Sequence, residues 1–164
     1  MSSTPDNPTL ALRAALGRFA TGVTIVTCID TSGDPVGMTV NSFSALSLEP
    51  PLVLWSLRKS SPSAGAFSAA GHFAINVLAE SQVDLSRRFA SAVPDKFGFG
   101  AWNPGVGQAP VLTGATAVFE CETVSSQEAG DHVLFVGRVL HFSEAALPPL
   151  LFHGGRYHML GEIL

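Results

Sequence analysis

The sequence predicts a mainly β protein with a few short helices, built as an antiparallel barrel or sandwich. Three observations support this fold class. Six or more segments are strand-like, because they alternate or are rich in β-branched and aromatic residues. Most of these segments are joined by stretches of turn-forming residues, which is typical of antiparallel hairpins. Only three segments have helical character, and all three are short.

Length and composition indicate a single domain, with residues 1–8 as a flexible N-terminus and residues 9–164 as the folded part. Hydrophobic residues make up 46% of the chain against 13% charged, so dimerisation is the natural way to cover the apolar surface. The net charge of −4 argues against nucleic acid as a general partner. Without a membrane-length apolar run or a secretory signal, we expect a soluble cytoplasmic protein.

The N-terminal part is predicted to contain one helix followed by a β-hairpin. Thr9 is the expected N-cap, apolar residues recur at helical spacing as far as Phe19, and Gly22 is the expected C-terminal stop. The β-branched run Val23–Ile29 predicts a strand. A stretch of turn formers leads from it into a second strand, Val36–Val40.

A segment dense in hydroxyl groups follows the hairpin and is the first candidate for a binding site. Residues 39–45 (TVNSFSA) carry hydroxyls and one amide but no charge, and two prolines after Glu49 force an extended backbone before the apolar strand 52–57. Neutral hydrogen-bonding groups suit a neutral heterocycle better than a metal or a phosphate alone. A Ser/Thr/Asn turn between two strands explains the segment equally well.

Two basic residues and two hydroxyls precede the second predicted helix, which spans residues 63–70. The basic residues are Arg58 and Lys59, and the hydroxyls belong to Ser60 and Ser61. A helix N-terminus beside such groups is suited to a phosphate. Helix capping alone explains the serines equally well, and exposed surface cations are the commoner explanation for the basic pair.

The middle of the chain predicts a strand, a helix and a long loop. The strand is His72–Ala79, and the helix begins at Ser81 and carries Arg87 and Phe89. Residues 91–113 are rich in glycine and proline and show little periodicity. Because aromatic residues lie within this stretch, we expect an ordered lid over a ligand.

The last third predicts two long strands and a closing hairpin, and it contains the second candidate site. The strands are 115–124 and 133–142, and Gly130, Asp131 and His132 lie between them. The glycine permits a close approach, the aspartate can fix the imidazole tautomer, and the histidine can meet an amide or polarise a carbonyl. A turn with a satisfied histidine is the alternative.

The sequence gives little support for metal, thiol or hydrolytic chemistry. None of the five histidines forms an HxH or HExxH motif, so we expect no metal site. Cys28 and Cys121 lie in apolar or alternating runs without a CxxC pair, which indicates buried free thiols. The sequence also lacks a GxSxG nucleophile motif and a GxxxxGK[ST] phosphate loop.

Taken in order, five segments resemble the flavin reductase-like family, the short NAD(P)H:flavin oxidoreductases that accompany two-component monooxygenases. The resemblance covers about residues 10 to 160, and the joint pattern is specific although each segment alone is weak. The segments are 18–27 (RFATGVTIVT), 37–47 (GMTVNSFSALS), 50–54 (PPLVL), 73–78 (FAINVL) and 130–132 (GDH).

The resemblance implies an FMN-binding split β-barrel that works as a homodimer. The flavin ring would lie against the hydroxyl-rich segment, and its phosphate would meet Ser60 and Ser61. His132 would bind the nicotinamide and is the catalytic candidate, with Tyr157 contributing from the closing hairpin. The residues that match the family's cofactor site are Thr39, Val40, Asn41, Ser42, Phe43, Ser44, Ala45, Lys59, Ser60, Ser61, Arg87, Phe89, His132 and Tyr157.

The implied activity is the reduction of free FMN or FAD by NADH or NADPH, with hydride transfer to flavin N5. Reduced flavin would then pass to a separate monooxygenase. Flavin or haem binding without turnover on the same barrel is the main alternative, and an oxidase of the pyridoxamine-phosphate type is a weaker one. The sequence leaves open the choice of nicotinamide and flavin, the identity of the oxygenase and the role of residues 91–113.

Overall fold

The computed structural model describes residues 7–164, which form twelve β-strands, three α-helices and two short 3₁₀ helices. In chain order these elements are α1 (Pro8–Leu16), β1 (Thr21–Gly22), β2 (Thr24–Ile29), β3 (Pro35–Val40), β4 (Ser44–Leu48), β5 (Pro51–Arg58), α2 (Ala64–Ala69), β6 (His72–Val77), a 3₁₀ helix (Glu80–Gln82), α3 (Val83–Phe89), β7 (Trp102–Pro104), a 3₁₀ helix (Val106–Gln108), β8 (Pro110–Leu112), β9 (Ala117–Ala129), β10 (His132–Glu144), β11 (Leu151–His153) and β12 (Arg156–His158). The predicted fold class, mainly β with few short helices, is confirmed.

Seven strands form one antiparallel sheet in the order β3-β2-β6-β9-β10-β5-β4. Its two edge strands, β3 and β4, are consecutive in the chain and do not pair with each other. The sheet is therefore open along this line, and the barrel is split and not closed. Two smaller sheets, β1-β11-β12 and β7-β8, complete the described part of the chain.

The first hydrophobic core is built on aromatic rings. Trp55 of β5 stacks on Phe135 of β10 with ring centroids 4.7 Å apart. Phe67 of α2 and Phe73 of β6 approach Trp55 at steeper angles, with centroids 4.8 and 5.9 Å away. All four side chains are buried, and contacts of this geometry add to the stabilisation from burial alone.

Cys28 and Cys121 belong to the same core as free, buried thiols, which confirms the prediction. Burial raises the pKa of each thiol to about 12, with a smaller contribution from a nearby carboxylate in each case. Both groups are therefore protonated at neutral pH, and they lack the thiolate form that nucleophilic chemistry requires.

A second hydrophobic core lies against the other face of β2, because strand alternation turns Ile25 towards it and Val26 towards the first core. Phe89 of α3 is buried there, with the rings of Phe97 and Trp102 centred 5.0 and 5.3 Å away. The segment 91–113 is thus ordered, as expected, but its aromatic residues pack on α3. These contacts are made with α3, so they do not support the expected lid over a ligand.

The second core also presses directly on β3. A Cβ atom at Gly37 would lie 2.7 Å from Cε1 of Phe89 and 3.0 Å from Cζ of Phe97, so no side chain fits there without displacement of the rings. The ammonium of Lys96 donates hydrogen bonds to the carbonyls of Gly37 and Phe89 at 3.4 and 3.2 Å, and burial lowers its pKa. These contacts fix β3 against α3.

Helix α1 begins earlier and ends earlier than predicted. Asn7 is the N-cap, its side chain accepting hydrogen bonds from two amides of the first turn at 3.0 and 3.3 Å, and Pro8 occupies the first helical position, which it favours. Thr9 is therefore inside the helix. The C-cap is Gly17, while Gly22 lies in β1. Residues 1–6 of the predicted flexible terminus lie outside the described residues.

Helix α2 is also shorter than predicted, since it covers only Ala64–Ala69 and leaves Pro62 outside its first turn. Its N-cap, Ser63, makes no capping hydrogen bond with its side chain, and Ser61 Oγ accepts from the Ser63 amide at 3.3 Å. Among residues 7–164, no helix combines the length and apolar character needed to span a bilayer.

Candidate functional site

The hydroxyl-rich segment Thr39–Ala45, called the shelf below, lies where the sheet is open between β3 and β4. Thr39 donates its hydroxyl to the carbonyl of Ser86 on α3 at 2.7 Å. Ser42 Oγ donates to the carbonyl of Ser56 at 2.7 Å and accepts from its amide at 3.0 Å. Two of the hydroxyls that predict a ligand site thus anchor the shelf to α3 and β5.

The remaining shelf residues differ in their exposure. Phe43 is half-buried and stacks on Phe119, with ring centroids 5.6 Å apart, and Val40 is buried. Ser44 and Ala45 are exposed on β4. Asn41 is exposed, and its amide makes no side-chain hydrogen bond within residues 7–164. Asn41 is therefore the shelf side chain best placed to meet a ligand.

A cavity of about 310 Å³, the shelf cavity, brings together residues that are distant in the sequence. Its volume lies at the lower end of the roughly 300–1,000 Å³ that is usual for small-molecule sites. No carboxylate lines it. The lining residues are Met38, Thr39, Val40, Asn41, Ser42, Ser56, Leu57, Arg58, Ser60, Ser61 and His132. The structure thus joins most of the shelf, both predicted phosphate serines and the predicted catalytic histidine.

His132 is the first residue of β10 and pairs with Arg58 at the end of β5. Its side chain is 39% exposed, and Nδ1 lies 2.7 Å from Oδ1 of Asp131. This hydrogen bond is the main reason that the pKa of the Asp131 carboxyl is lowered. Because Nδ1 is engaged, Nε2 is the ring nitrogen available to a ligand in the cavity.

The two adjacent cations at the end of β5 have different surroundings. Arg58 lines the shelf cavity, whereas Lys59 does not, because its Nζ lies 2.5 Å from a carboxylate oxygen of Glu128 on β9. Sequence reasoning placed both cations beside the predicted phosphate seat but counted only Lys59 among the cofactor-binding residues. Strand alternation was the available signal, since Arg58 lies two residues after Ser56 and therefore on the same face of β5.

A second cavity, the hairpin cavity of about 190 Å³, lies beside the β11–β12 hairpin. It shares Thr39, Val40 and Asn41 with the shelf cavity, and its other lining residues are Val23, Ala90, Phe152 and Tyr157. The rings of Phe152 and Tyr157 meet edge-on with centroids 5.6 Å apart. The Tyr157 hydroxyl lies 2.8 Å from the buried hydroxyl of Ser86, which links the hairpin to α3.

Two other predicted ligands on α3 line neither cavity. The guanidinium carbon of Arg87 lies 5.6 Å from the centre of the Tyr157 ring, and the side chain also pairs with Asp84 at 2.9 Å. Phe89 is buried, and its ring packs in the second core. Its burial depends on the aromatic residues of the 91–113 segment, which sequence spacing does not reveal.

The chemical character of the two cavities is neutral hydrogen bonding and ring contact, with one cation and one imidazole. Within the described part of the chain, no three His, Cys, Asp or Glu side chains are grouped so that they could hold a metal ion. The arrangement can bind and orient a polar ring system carrying an anionic group. It offers no buried nucleophile.

Comparison with known proteins decides the family. Residues 16–161 match the family described as "Flavin reductase like domain". The chain belongs to this family. Its FMN reductase (NADH) relative SmoA from Agrobacterium fabrum is 47% identical over 149 residues, which cover 90% of this chain and 83% of that protein.

Other relatives extend the comparison. The reductase component of a flavin-dependent trigonelline monooxygenase from Acinetobacter baylyi is 42% identical over 146 residues, covering 89% of this chain and 47% of that protein. This chain spans about half the length of some curated relatives that it matches. The structure of the NADH:FAD oxidoreductase SgcE6 from Streptomyces globisporus, in complex with NAD and FAD fragments, has a TM-score of 0.90 at 36% identity and covers 98% of both chains.

Proposed function

We propose that this protein is an NAD(P)H:flavin oxidoreductase that reduces free FMN or FAD and supplies the reduced flavin to a partner monooxygenase. The family supports this activity, since relatives bear the names of an NADH-dependent FMN reductase and of monooxygenase reductase components. The observation that carries it is the shelf cavity, in which neutral donors, two serines and an imidazole converge.

The residues of the shelf cavity fit a flavin. The Asn41 amide and the backbone of the shelf supply neutral hydrogen-bonding groups of the kind that a ring with carbonyl and nitrogen acceptors requires. At the other end, Ser60 and Ser61 supply hydroxyls, and a cation lines the same cavity. We place the flavin ring along Thr39–Ala45 and its phosphate towards the two serines.

The protein's own contribution is binding and orientation. When bound, the flavin supplies the redox chemistry by accepting a hydride from a reduced nicotinamide at N5. The shelf holds the ring edge, and the hydrophobic residues behind it help to keep water away from the reacting face. His132 presents Nε2 to the nicotinamide amide, with Asp131 fixing the tautomer. Tyr157 and Arg87, beside the hairpin cavity, would complete the cofactor site, with Lys59 and Phe89 near it.

An anaerobic assay tests the proposed activity. The purified protein is mixed with NADH or NADPH and with FMN or FAD, and nucleotide oxidation is followed in all four pairings. We expect flavin-dependent oxidation in at least one pairing, and the ratios of kcat/KM then give the cofactor preference. The absence of oxidation in every pairing would contradict the proposal. Tight stoichiometric pigment with slow reduction would favour binding without turnover.

We also propose that the protein is a homodimer in the cytoplasm. No residue of α1 is buried, and large apolar side chains on α1 and just after it stay exposed, with Leu12 at 60%, Leu16 at 66% and Phe19 at 79%. A second copy is the simplest cover for such a surface.

The cytoplasmic location is supported by the free thiols, which accord with a reducing compartment. The dimer is tested by its mass. Light scattering should give twice the 17.1 kDa chain mass, and a monomer at micromolar concentration would contradict the dimer.

A further inference from the structure

Arg58 and Lys59 are adjacent cations that the fold sends to different partners. Arg58 lines the shelf cavity together with Ser60 and Ser61. Lys59 lies outside that lining, with its ammonium 2.5 Å from the Glu128 carboxylate. One cation therefore faces the proposed flavin site, and the other is already paired.

The main chain fixes this division. Arg58 pairs with His132 across the β5–β10 ladder, so its position on the cavity face follows from the strand register. The backbone amide of Lys59 donates to the carbonyl of Asp131 at 2.9 Å, which holds the turn against the β9–β10 hairpin. The Lys59 side chain is thereby directed along the hairpin, where Glu128 lies on β9.

Arg58 has no competing partner in the described structure. Its side chain forms no ion pair and no hydrogen bond within residues 7–164, and the nearby Asp131 carboxylate is hydrogen-bonded to His132. No carboxylate lines the shelf cavity. The guanidinium of an arginine that lines a cavity beside two hydroxyls can recognise phosphate oxygens through two parallel hydrogen bonds.

We propose that Arg58 supplies the cation for the flavin phosphate, together with Ser60 and Ser61, and that Glu128 keeps Lys59 out of this contact. The assignment rests on the proposed function, because it takes the flavin to be the ligand of the shelf cavity. It gives Glu128 a role in setting affinity. With Lys59 neutralised, the phosphate meets one cation and not two, which favours release of reduced flavin to a separate enzyme.

The test compares FMN with riboflavin, which lacks only the phosphate. Dissociation constants are measured by quenching of flavin fluorescence for wild type, Arg58→Gln, Arg58→Lys and the matched neighbour Lys59→Gln, with melting temperatures to confirm folding. We expect Arg58→Gln to weaken FMN binding about tenfold or more, with riboflavin changed by less than about twofold. Arg58→Lys should recover part of the loss, and Lys59→Gln should change neither ligand by more than about twofold.

Substitution of Glu128 should change FMN affinity in the opposite direction to substitution of Arg58. Glu128→Gln should strengthen FMN binding by about two- to fivefold and leave riboflavin binding unchanged, because Lys59 lies between Arg58 and Ser60 and its ammonium is then no longer paired with a carboxylate. The gain should vanish when Lys59→Gln is added. No gain, or a gain that persists without Lys59, would overturn the role of Glu128.

The outcomes separate this assignment from the proposed function. An equal loss of affinity for FMN and riboflavin in Arg58→Gln, or a larger loss of FMN affinity in Lys59→Gln, would overturn the role of Arg58 and leave the reductase proposal standing. If the wild type oxidises no nicotinamide but shows the expected FMN-to-riboflavin ratios, the reductase proposal fails and the phosphate assignment stands. If the wild type binds neither flavin, both fail.

Discussion

The shelf cavity and the hairpin cavity share the three residues 39–41 but are built in different ways. The shelf cavity is polar, with hydroxyls, Arg58 and His132, and its far wall is set by the pairing of β5 with β10. The hairpin cavity is aromatic and apolar, and side-chain contacts through Ser86 and Tyr157 connect its walls. The end of β3 thus borders a polar cavity that contains a cation on one side and an aromatic cavity on the other.

This difference predicts how each cavity responds to substitution. Backbone hydrogen bonds maintain the wall of the shelf cavity, so a changed side chain there should alter ligand binding with little effect on stability. The wall of the hairpin cavity continues into the second core, so changes there should reduce stability first. The predictions below test this contrast.

The largest effect is expected from Phe89→Ala, behind the hairpin cavity. The buried ring contacts Phe97 and Trp102, and its removal should lower the free energy of unfolding by about 3–5 kcal/mol, measured by urea denaturation. Phe99→Ala is the control, because Phe99 is 57% exposed, and it should cost much less. Equal losses of unfolding free energy in the two variants would show that the second core does not stabilise the wall of the hairpin cavity.

Tyr157→Phe should have the next largest effect on stability. It leaves the fully buried hydroxyl of Ser86 without its partner, which costs about 1–3 kcal/mol. Adding Ser86→Ala removes the orphaned hydroxyl, so the double variant should be more stable than the sum of the two single losses indicates. Strict additivity in thermal melts would argue against a hydrogen bond between these groups.

His132→Ala should act on function more than on stability, in keeping with its place in the shelf cavity. We expect the apparent KM for the nicotinamide to rise about tenfold, which corresponds to about 1.4 kcal/mol, while the KM for flavin changes by less than about twofold. His141→Ala, an exposed histidine on the same strand, is the control and should leave both constants unchanged. An equal rise in the two KM values for His132→Ala would refute its assigned role.

The smallest effect concerns Asp131, which is exposed beside the shelf cavity. Its hydrogen bond with His132 lowers the pKa of the carboxyl below its ordinary value of 3.8. The resulting stabilisation is present above pH 3.8 and is lost as the pH falls through the lowered pKa. Carboxyl titration by NMR should show a midpoint below 3.8 that rises in His132→Ala. A midpoint independent of His132 would contradict the contact.

Much of the fold could be predicted because its signals are local. The alternation of β5 and the β-branched run of β2 identify strands directly, and the turn formers between β2 and β3 identify a hairpin. The start of α1 was placed wrongly because two candidate caps, Asn7 and Thr9, lie two residues apart. Which of them acts depends on whether Pro8 enters the first turn.

The site was only partly predictable, because side-chain direction depends on distant residues. Ser60 and Ser61 were predicted from their position before a helix and beside two cations, and His132 from the Gly-Asp-His pattern. The structure brings all three into one cavity. Lys59 and Arg58 differ because Glu128, far along the chain, pairs with one of them. The ring of Phe89 packs against Phe97 and Trp102 of the 91–113 segment. The sequence around α3 contains no local pattern that predicts this contact.

The bare Cα of Gly37 limits how this part of the protein can be altered. Because the rings of Phe89 and Phe97 lie against its bare Cα, even one added methyl group would force either β3 or the rings to shift, two residues before Thr39. Lys96 and Phe97 therefore contact β3 without lining either of the two cavities. Exchanging residues 95–102 between homologues should leave β3 in place only when the ring at position 97 is retained, since the other ring on Gly37, Phe89, belongs to α3.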